Sequence, residues 1–120
     1  MLKKQYRLKN KKAFDATYRN KKVVSNNVMS LYIGKPKKDL NTTTKFGFVV
    51  SKKYHKRAVK RNHIKRLLRE SVRLAIKENK IGNLDNYMSF IILPKINEEN
   101  YKIKLAIVKD AFENLVKRVK

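Results

Sequence analysis

From about Lys60 to Asn79 apolar residues recur at spacings of three and four: Ile64, Leu67, Leu68, Val72, Ala75 and Ile76. That is the α-helical period, so the segment carries one apolar stripe that must be covered by the rest of the chain. At about 100° per residue, Asn62, Lys65, Arg66, Arg69, Arg73 and Lys77 project onto the opposite side. One long helix therefore has an apolar face and a basic face. Glu70 and Glu78 lie outside the middle of the basic one.

The remaining pattern supplies the cover. Asn10 has the chemistry of an N-cap for a helix over Lys11 to Asn20, in which Phe14 and Tyr18 share a face. Val28 to Ile33 alternates in period two, with Met29, Leu31 and Ile33 on one side and Val28, Ser30 and Tyr32 on the other. Lys45 to Ser51 reads as the next strand, with Phe46, Phe48 and Val50 on one face and the smaller Gly47, Val49 and Ser51 on the other. A polar, Pro-containing connection, Lys35 to Thr44, separates the two strands. Gly82 is expected to stop the long helix. Tyr87 to Leu93 reads as a buried strand ended by Pro94. Asn97 or Asn100 would cap a last helix carrying Leu105, Val108, Phe112, Leu115, Val116 and Val119, with Glu98 and Glu99 as first-turn acids. A short extra strand is open around Lys22 to Ser25. The order helix-strands-helix-strand-helix describes an α+β two-layer sandwich, formed by residues 1–120 as a single domain.

Charge narrows the function. The chain has 32 Lys and Arg against 9 Asp and Glu, a formal net charge of +23. Such an excess repels itself in a compact fold, and a polyanionic partner best explains it: nucleic acid first, an anionic membrane surface second. With 42% hydrophobic residues, the chain has more than a disordered basic tail would contain. No acidic residue stands between Asp39 and Glu70, where Lys45, Lys52, Lys53, Lys56, Arg57, Lys60, Arg61, Lys65, Arg66 and Arg69 crowd together. A second basic set, from Lys3 to Lys22, surrounds the first helix and is opposed there by Asp15 alone. One such run reads as a solvated face; two with so few acids suit phosphate tracking. Guanidinium forks at Arg57, Arg61, Arg66, Arg69 and Arg73 match phosphate oxygens or a guanine edge. Phe14, Tyr18 and Tyr32 are candidates for stacking on unpaired bases. Spacing alone favours core packing for Phe14 and a surface role for Tyr32.

No catalytic constellation is legible. Zero Cys excludes a disulfide framework, a thiolate metal site and a cysteine nucleophile, and suits a reducing cytoplasm. His55 and His63 are eight residues apart, not the four that place two metal ligands on one helical face. Ser51 near His55 lacks a placed third partner, and 3 Gly leave no phosphate-cradling loop. The opening Met1-Leu2-Lys3-Lys4 leads into no apolar run, so no secretory signal is expected. The longest apolar run, Phe90 to Leu93, is far short of the roughly 20 residues that span a bilayer. No membrane association and no small-molecule substrate are expected.

The stretch Arg57 to Ser71 resembles the signature of the bacterial ribonuclease P protein subunit: Arg-Asn-Arg, then hydrophobic-Lys-Arg and, further on, Arg-Glu. Arg61, Asn62, Ile64, Lys65, Arg66, Arg69 and Glu70 match, while His63 stands in place of the usual third arginine. Arg7-Leu8-Lys9 before the Phe14 helix, Tyr32 in the first long strand, and Phe46 to Lys53 are similar to the family's order over nearly the whole chain.

The resemblance implies a ribonucleoprotein endonuclease that removes the 5′ leader of precursor transfer RNA. The RNA subunit would cleave with magnesium bound to RNA and substrate, leaving this chain without catalytic or metal residues. It also implies a left-handed β-α-β crossover, an exception to the usual hand. Arg61, Asn62, Lys65, Arg66 and Arg69 become contacts to the RNA subunit, and Arg57, Lys60, His63 and Arg73 join that surface by charge and position. Phe14, Tyr18, Tyr32, Val49, Ser51, Lys52 and Lys53 become candidates for a leader-binding cleft between the first helix and the sheet. Charge alone would also suit a ribosomal or structural RNA-binding protein with no enzymatic role, and the basic helix alone would allow a membrane-surface or architectural DNA binder.

Overall fold

The computed structural model describes residues 2–51, 56–96 and 101–119. Its helices are α1 (Lys11–Arg19), α2 (Ala58–Lys77) and α3 (Leu105–Arg118), and its strands are β1 (Lys22–Ser25), β2 (Met29–Ile33), β3 (Lys45–Phe48) and β4 (Ser89–Pro94). Short 3-10 turns cover Lys4–Tyr6 and Gly82–Asn86. The strands form one sheet in the order β1-β2-β4-β3. β1 pairs antiparallel with β2 and β2 with β4, whereas β3 runs parallel to β4 and reaches it through α2, making a β-α-β unit. Among the described residues, no helix is long and apolar enough to cross a membrane.

The period-two pattern decides the faces of this sheet. Met29, Leu31 and Ile33 of β2, Phe46 of β3, and Phe90 and Ile92 of β4 all point into one buried cluster. α2 brings Ile64, Leu68, Val72 and Ala75 to that cluster, and α3 brings Val108, Phe112, Leu115 and Val116. Phe46 sits at its centre, stacked on Phe90 at 5.7 Å and edge-on to Phe112 at 6.4 Å. The predicted apolar stripe of the long helix is thus the face laid against sheet and α3. α1 lies on the other face of the sheet, over Ile91 and its neighbours. The sandwich of sheet and α2/α3 holds the core, and α1 forms a partial layer behind it.

Several boundaries differ from expectation for local reasons. β3 ends at Phe48 rather than Ser51, although the Val49 N–H still donates to the Ile92 carbonyl at 3.1 Å. α2 is closed by Asn79, not by Gly82. Asn79 takes the left-handed conformation (φ 57°), its N–H bonds the Ile76 carbonyl at 3.1 Å, and the Lys80 N–H bonds the Ala75 carbonyl at 2.8 Å. That is a Schellman stop, which asparagine supports because its short polar side chain tolerates the left-handed region. Gly82, at φ 50°, instead opens the following 3-10 turn. The N-cap position of α3 is Lys104, its side chain makes no cap bond, and the first turn contains no acid. Asn97, Glu98, Glu99 and Asn100 lie outside the described residues and outside this helix. The Asn10 cap holds as expected, its side-chain oxygen accepting from the Lys12 N–H at 2.8 Å.

The short strand β1 is present because Asn26 builds its turn. The Asn26 side-chain oxygen accepts from the N–H groups of Val28 and Met29 at 2.9 and 3.0 Å. Its amide donates to the Ala111 carbonyl of α3 at 2.9 Å. A polar turn residue here pins a hairpin to the core, so β1 needs little apolar pattern of its own.

Candidate RNA interface

α1 is fixed across the sheet by four contacts. The Phe14 ring lies on Gly47 of β3, where no side chain intervenes. Thr17, buried, donates from Oγ1 to the Ala13 carbonyl at 2.8 Å and lies 2.6 Å from Ser89 Oγ of β4, which leaves Ser89 as the donor between the two hydroxyls. The rings of Tyr18 and Tyr32 meet edge-on at 5.0 Å. Asn20 donates to the carbonyls of Ile33 and Gly34 at 3.1 and 2.9 Å. Burial, followed by the neighbouring Tyr32, raises Tyr18 above the ordinary tyrosine value.

This seating leaves that face of the sheet only partly covered: Leu93 and Val49 are half-buried there, while Ser30 is buried. Ser30 of β2, Leu93 of β4 and Val49 beyond β3 share the face of Tyr32 and Gly47 by register. They form the floor of a strip alongside α1, and the Tyr18–Tyr32 pair forms its wall. Val23 of β1, opposite Tyr32 and 49% exposed, extends the strip to the sheet edge. Phe14, expected at first as core, is half-buried: one part of its ring seals α1 to the sheet, and the rest faces outward. Ser51 is half-buried after β3, while Lys52 and Lys53 lie outside the described residues. Leu93 and Val23 escaped the sequence reading. The unbroken apolar run Phe90 to Leu93 hides which of its residues face α1, and β1 is too short to show a period.

The second surface is the outward side of α2. Asn62 and Arg66 are exposed and Arg61, Lys65 and Arg69 half-buried along it. Arg61 donates to the Lys56 carbonyl at 3.0 Å, which ties it to the helix start beside Arg57. Arg73 behaves differently from its neighbours. Its Nε and Nη2 both donate to Glu70 Oε1, the former at 2.9 Å. This hydrogen bond holds the Glu70 carboxyl below its ordinary value and Arg73 above its own. His63 turns its ring toward Tyr101, at 5.6 Å and nearly perpendicular, and Lys60 Nζ stands 4.9 Å above the same Tyr101 ring.

The acids near α2 are engaged at its seam with α3. Glu78 accepts from Lys109 at 2.7 Å, which lowers its carboxyl, and Lys109 also lies 3.6 Å from Glu113. The first turn of α2 itself carries no acid. A protein-held magnesium would need several oxygen ligands. Among the described residues no three His, Cys, Asp or Glu side chains gather, and these three glutamates already face cations, so the donors do not fit such a site.

The family model for ribonuclease P matches residues 2–120. The ribonuclease P protein component of Finegoldia magna is 38% identical over 101 residues, covering 84% of this chain and 80% of the relative. That of Clostridium botulinum (strain Langeland) is 35% identical over 115 residues, covering 96% and 95%. Among solved structures, the RNase P protein of Thermotoga maritima superposes with a TM-score of 0.75 at 25% identity, over 95% of this chain and 97% of that one. The Staphylococcus aureus protein shares the fold, with a TM-score of 0.71 at 24% identity over 96% and 95%. A match across the whole described chain, joined to the basic helix and the α1-walled strip, leads to one conclusion: the chain belongs to the ribonuclease P protein family.

Proposed function

We propose that this protein component of ribonuclease P acts as a two-sided RNA adaptor. The α2 surface, with Arg57, Lys60, Arg61, Asn62, His63, Lys65, Arg66 and Arg69, docks onto the catalytic RNA. The strip beside α1, with Phe14, Tyr18, Tyr32, Val49 and Ser51, holds the single-stranded 5′ leader of precursor transfer RNA, and Lys52 and Lys53 follow on from it in sequence. The observation that supports this reading is the opposition of the two surfaces: α2 covers one face of the sheet, and α1 covers the other only in part, leaving Tyr32, Val49 and Leu93 half-buried. A chain built this way can bridge a structured RNA and a flexible strand without either displacing the other.

In this reading residues 1–120 form one RNA-binding domain working in the cytoplasm, and cleavage is the work of the RNA, with magnesium held by RNA and substrate. The chain's own contribution is positional. Stacking on aromatic rings and contact with backbone charge tolerate many sequences, as a subunit serving many leaders requires. Purified chain alone should leave precursor transfer RNA uncut, yet should sharply improve cleavage by the cognate RNA subunit at low magnesium. No improvement on reconstitution would overturn the assignment.

A further inference from the structure

On the flank of the basic helix, outside the helix itself, stands the aromatic residue that His63 and Lys60 both meet. Tyr101, in the turn that leads to α3, is half-buried and packs one side against the core. Its ring also receives the edge-on contact from His63 and two ammonium groups, Lys60 Nζ at 4.9 Å and Lys102 Nζ at 5.8 Å from the centroid. Lys60 and His63 are three residues apart on α2, so they present adjacent side chains to this ring.

Two like charges gathered around one aromatic ring repel each other, and the quadrupole of the ring only partly offsets that repulsion. Neither ammonium group is paired with a carboxylate among the described residues. An anion arriving between them converts the repulsion into two charge-assisted contacts and draws the ammonium groups away from the ring. The ring and the neighbouring imidazole are then free to take a flat, apolar partner. Phosphate and flat ring joined in one ligand describe a nucleotide whose base is not paired.

We propose that Lys60, His63, Tyr101 and Lys102 form a binding site for one unpaired nucleotide of the catalytic RNA, with the phosphate between the two lysines and the base against the Tyr101–His63 pair. This rests on the reading that α2 docks onto that RNA, and it carries the docking surface past the helix onto the turn before α3. His63 then contributes as a ring in a stacking site, a role that a guanidinium fork at its position would fill differently.

The chain contains 0 Trp, so Tyr101→Trp installs a single reporter in the full protein. Titration with the cognate RNA subunit should quench its emission strongly, because a base stacks on the indole. Tyr101→Leu, which keeps an apolar filler against the core but removes the ring, should weaken RNA binding about 5- to 150-fold with an unchanged salt slope. Tyr101→Phe should retain binding. Lys102→Ala should instead lower the magnitude of the slope of log K against log salt by about 0.7. Unquenched emission at saturation, or Tyr101→Leu binding within about twofold of the parent, would overturn the site. Arg66→Ala run in parallel separates the two readings. If it weakens binding while the Tyr101 variants do not, only this site falls; if it too is silent, the docking of α2 falls with it.

Discussion

The ring of Phe14 fills the space that a side chain at Gly47 would need: an added Cβ would stand 2.6 Å from both Cε1 and Cζ, and 3.2 Å from Leu8 Cδ2. The absence of a side chain on β3 is therefore what seats α1 on the sheet. Gly47→Ala must push the ring, and with it the helix, outward. Such overpacking costs about 1–3 kcal/mol, to be read as a lower urea midpoint. Because the strip beside α1 changes width, affinity for leader-bearing substrate should fall more than affinity for leaderless transfer RNA. Equal loss for both would detach Phe14 from leader binding.

The hydroxyl pair Thr17–Ser89 is the polar counterpart of that contact. Thr17 is 1% exposed and its own proton goes to Ala13, so Thr17→Val preserves shape while leaving Ser89 without its acceptor. A loss of about 1–3 kcal/mol in stability is expected. Hydrogen exchange should locate it in α1, with the amides of α2 and α3 keeping their protection.

Arg66 and Arg73 share a helical face but not a state. Arg66 is exposed, whereas the fork of Arg73 is turned onto Glu70. Arg66→Ala should weaken binding to the RNA subunit and reduce the magnitude of the salt slope by about 0.7–0.9. Arg73→Ala should change the slope less, because its charge is already partly neutralised. Slopes measured from about 50 to 200 mM salt, where counterion release is read, would show identical changes if the Glu70 pairing had no effect.

The α2–α3 seam sets an acid limit on stability. Lys109 holds the Glu78 carboxyl below its ordinary 4.5 and is itself raised above 10.5 by Glu78. A depressed carboxylate contributes stability that is full above the ordinary value and is lost as pH falls through the folded one. A raised lysine contributes stability that is full below its ordinary value and is lost as pH rises through the folded one. Urea midpoints should therefore fall below about pH 4.5 and again at strongly alkaline pH. Glu78→Gln should flatten the acid limb while lowering the plateau.

Much of this could be read from periodicity. The stripe Ile64, Leu68, Val72, Ala75 and the alternation Met29, Leu31, Ile33 appear in the core as their spacing required. The Arg57 to Ser71 motif was equally legible, because a helix brings residues three and four apart together whatever surrounds them. Tyr101 was not. It meets His63 only because α3 folds back along α2, and no local period encodes that approach. The Asn79 stop was missed in favour of Gly82 because both residue types tolerate positive φ, and the hydrogen bonds to Ala75 and Ile76 choose between them.

Composition and short-range spacing were enough to establish a folded, strongly basic α+β chain with an arginine-rich helix, because charge and periodicity are properties of neighbours along the chain. They could not say on which face of the sheet α1 would lie. An amphipathic helix states that it must be covered, not by what. That choice came from contacts between distant segments: Phe14 on Gly47, Thr17 against Ser89, and Tyr18 beside Tyr32. Their joint geometry seats α1 on the face of the sheet opposite α2 and α3, which no property of neighbours along the chain could specify.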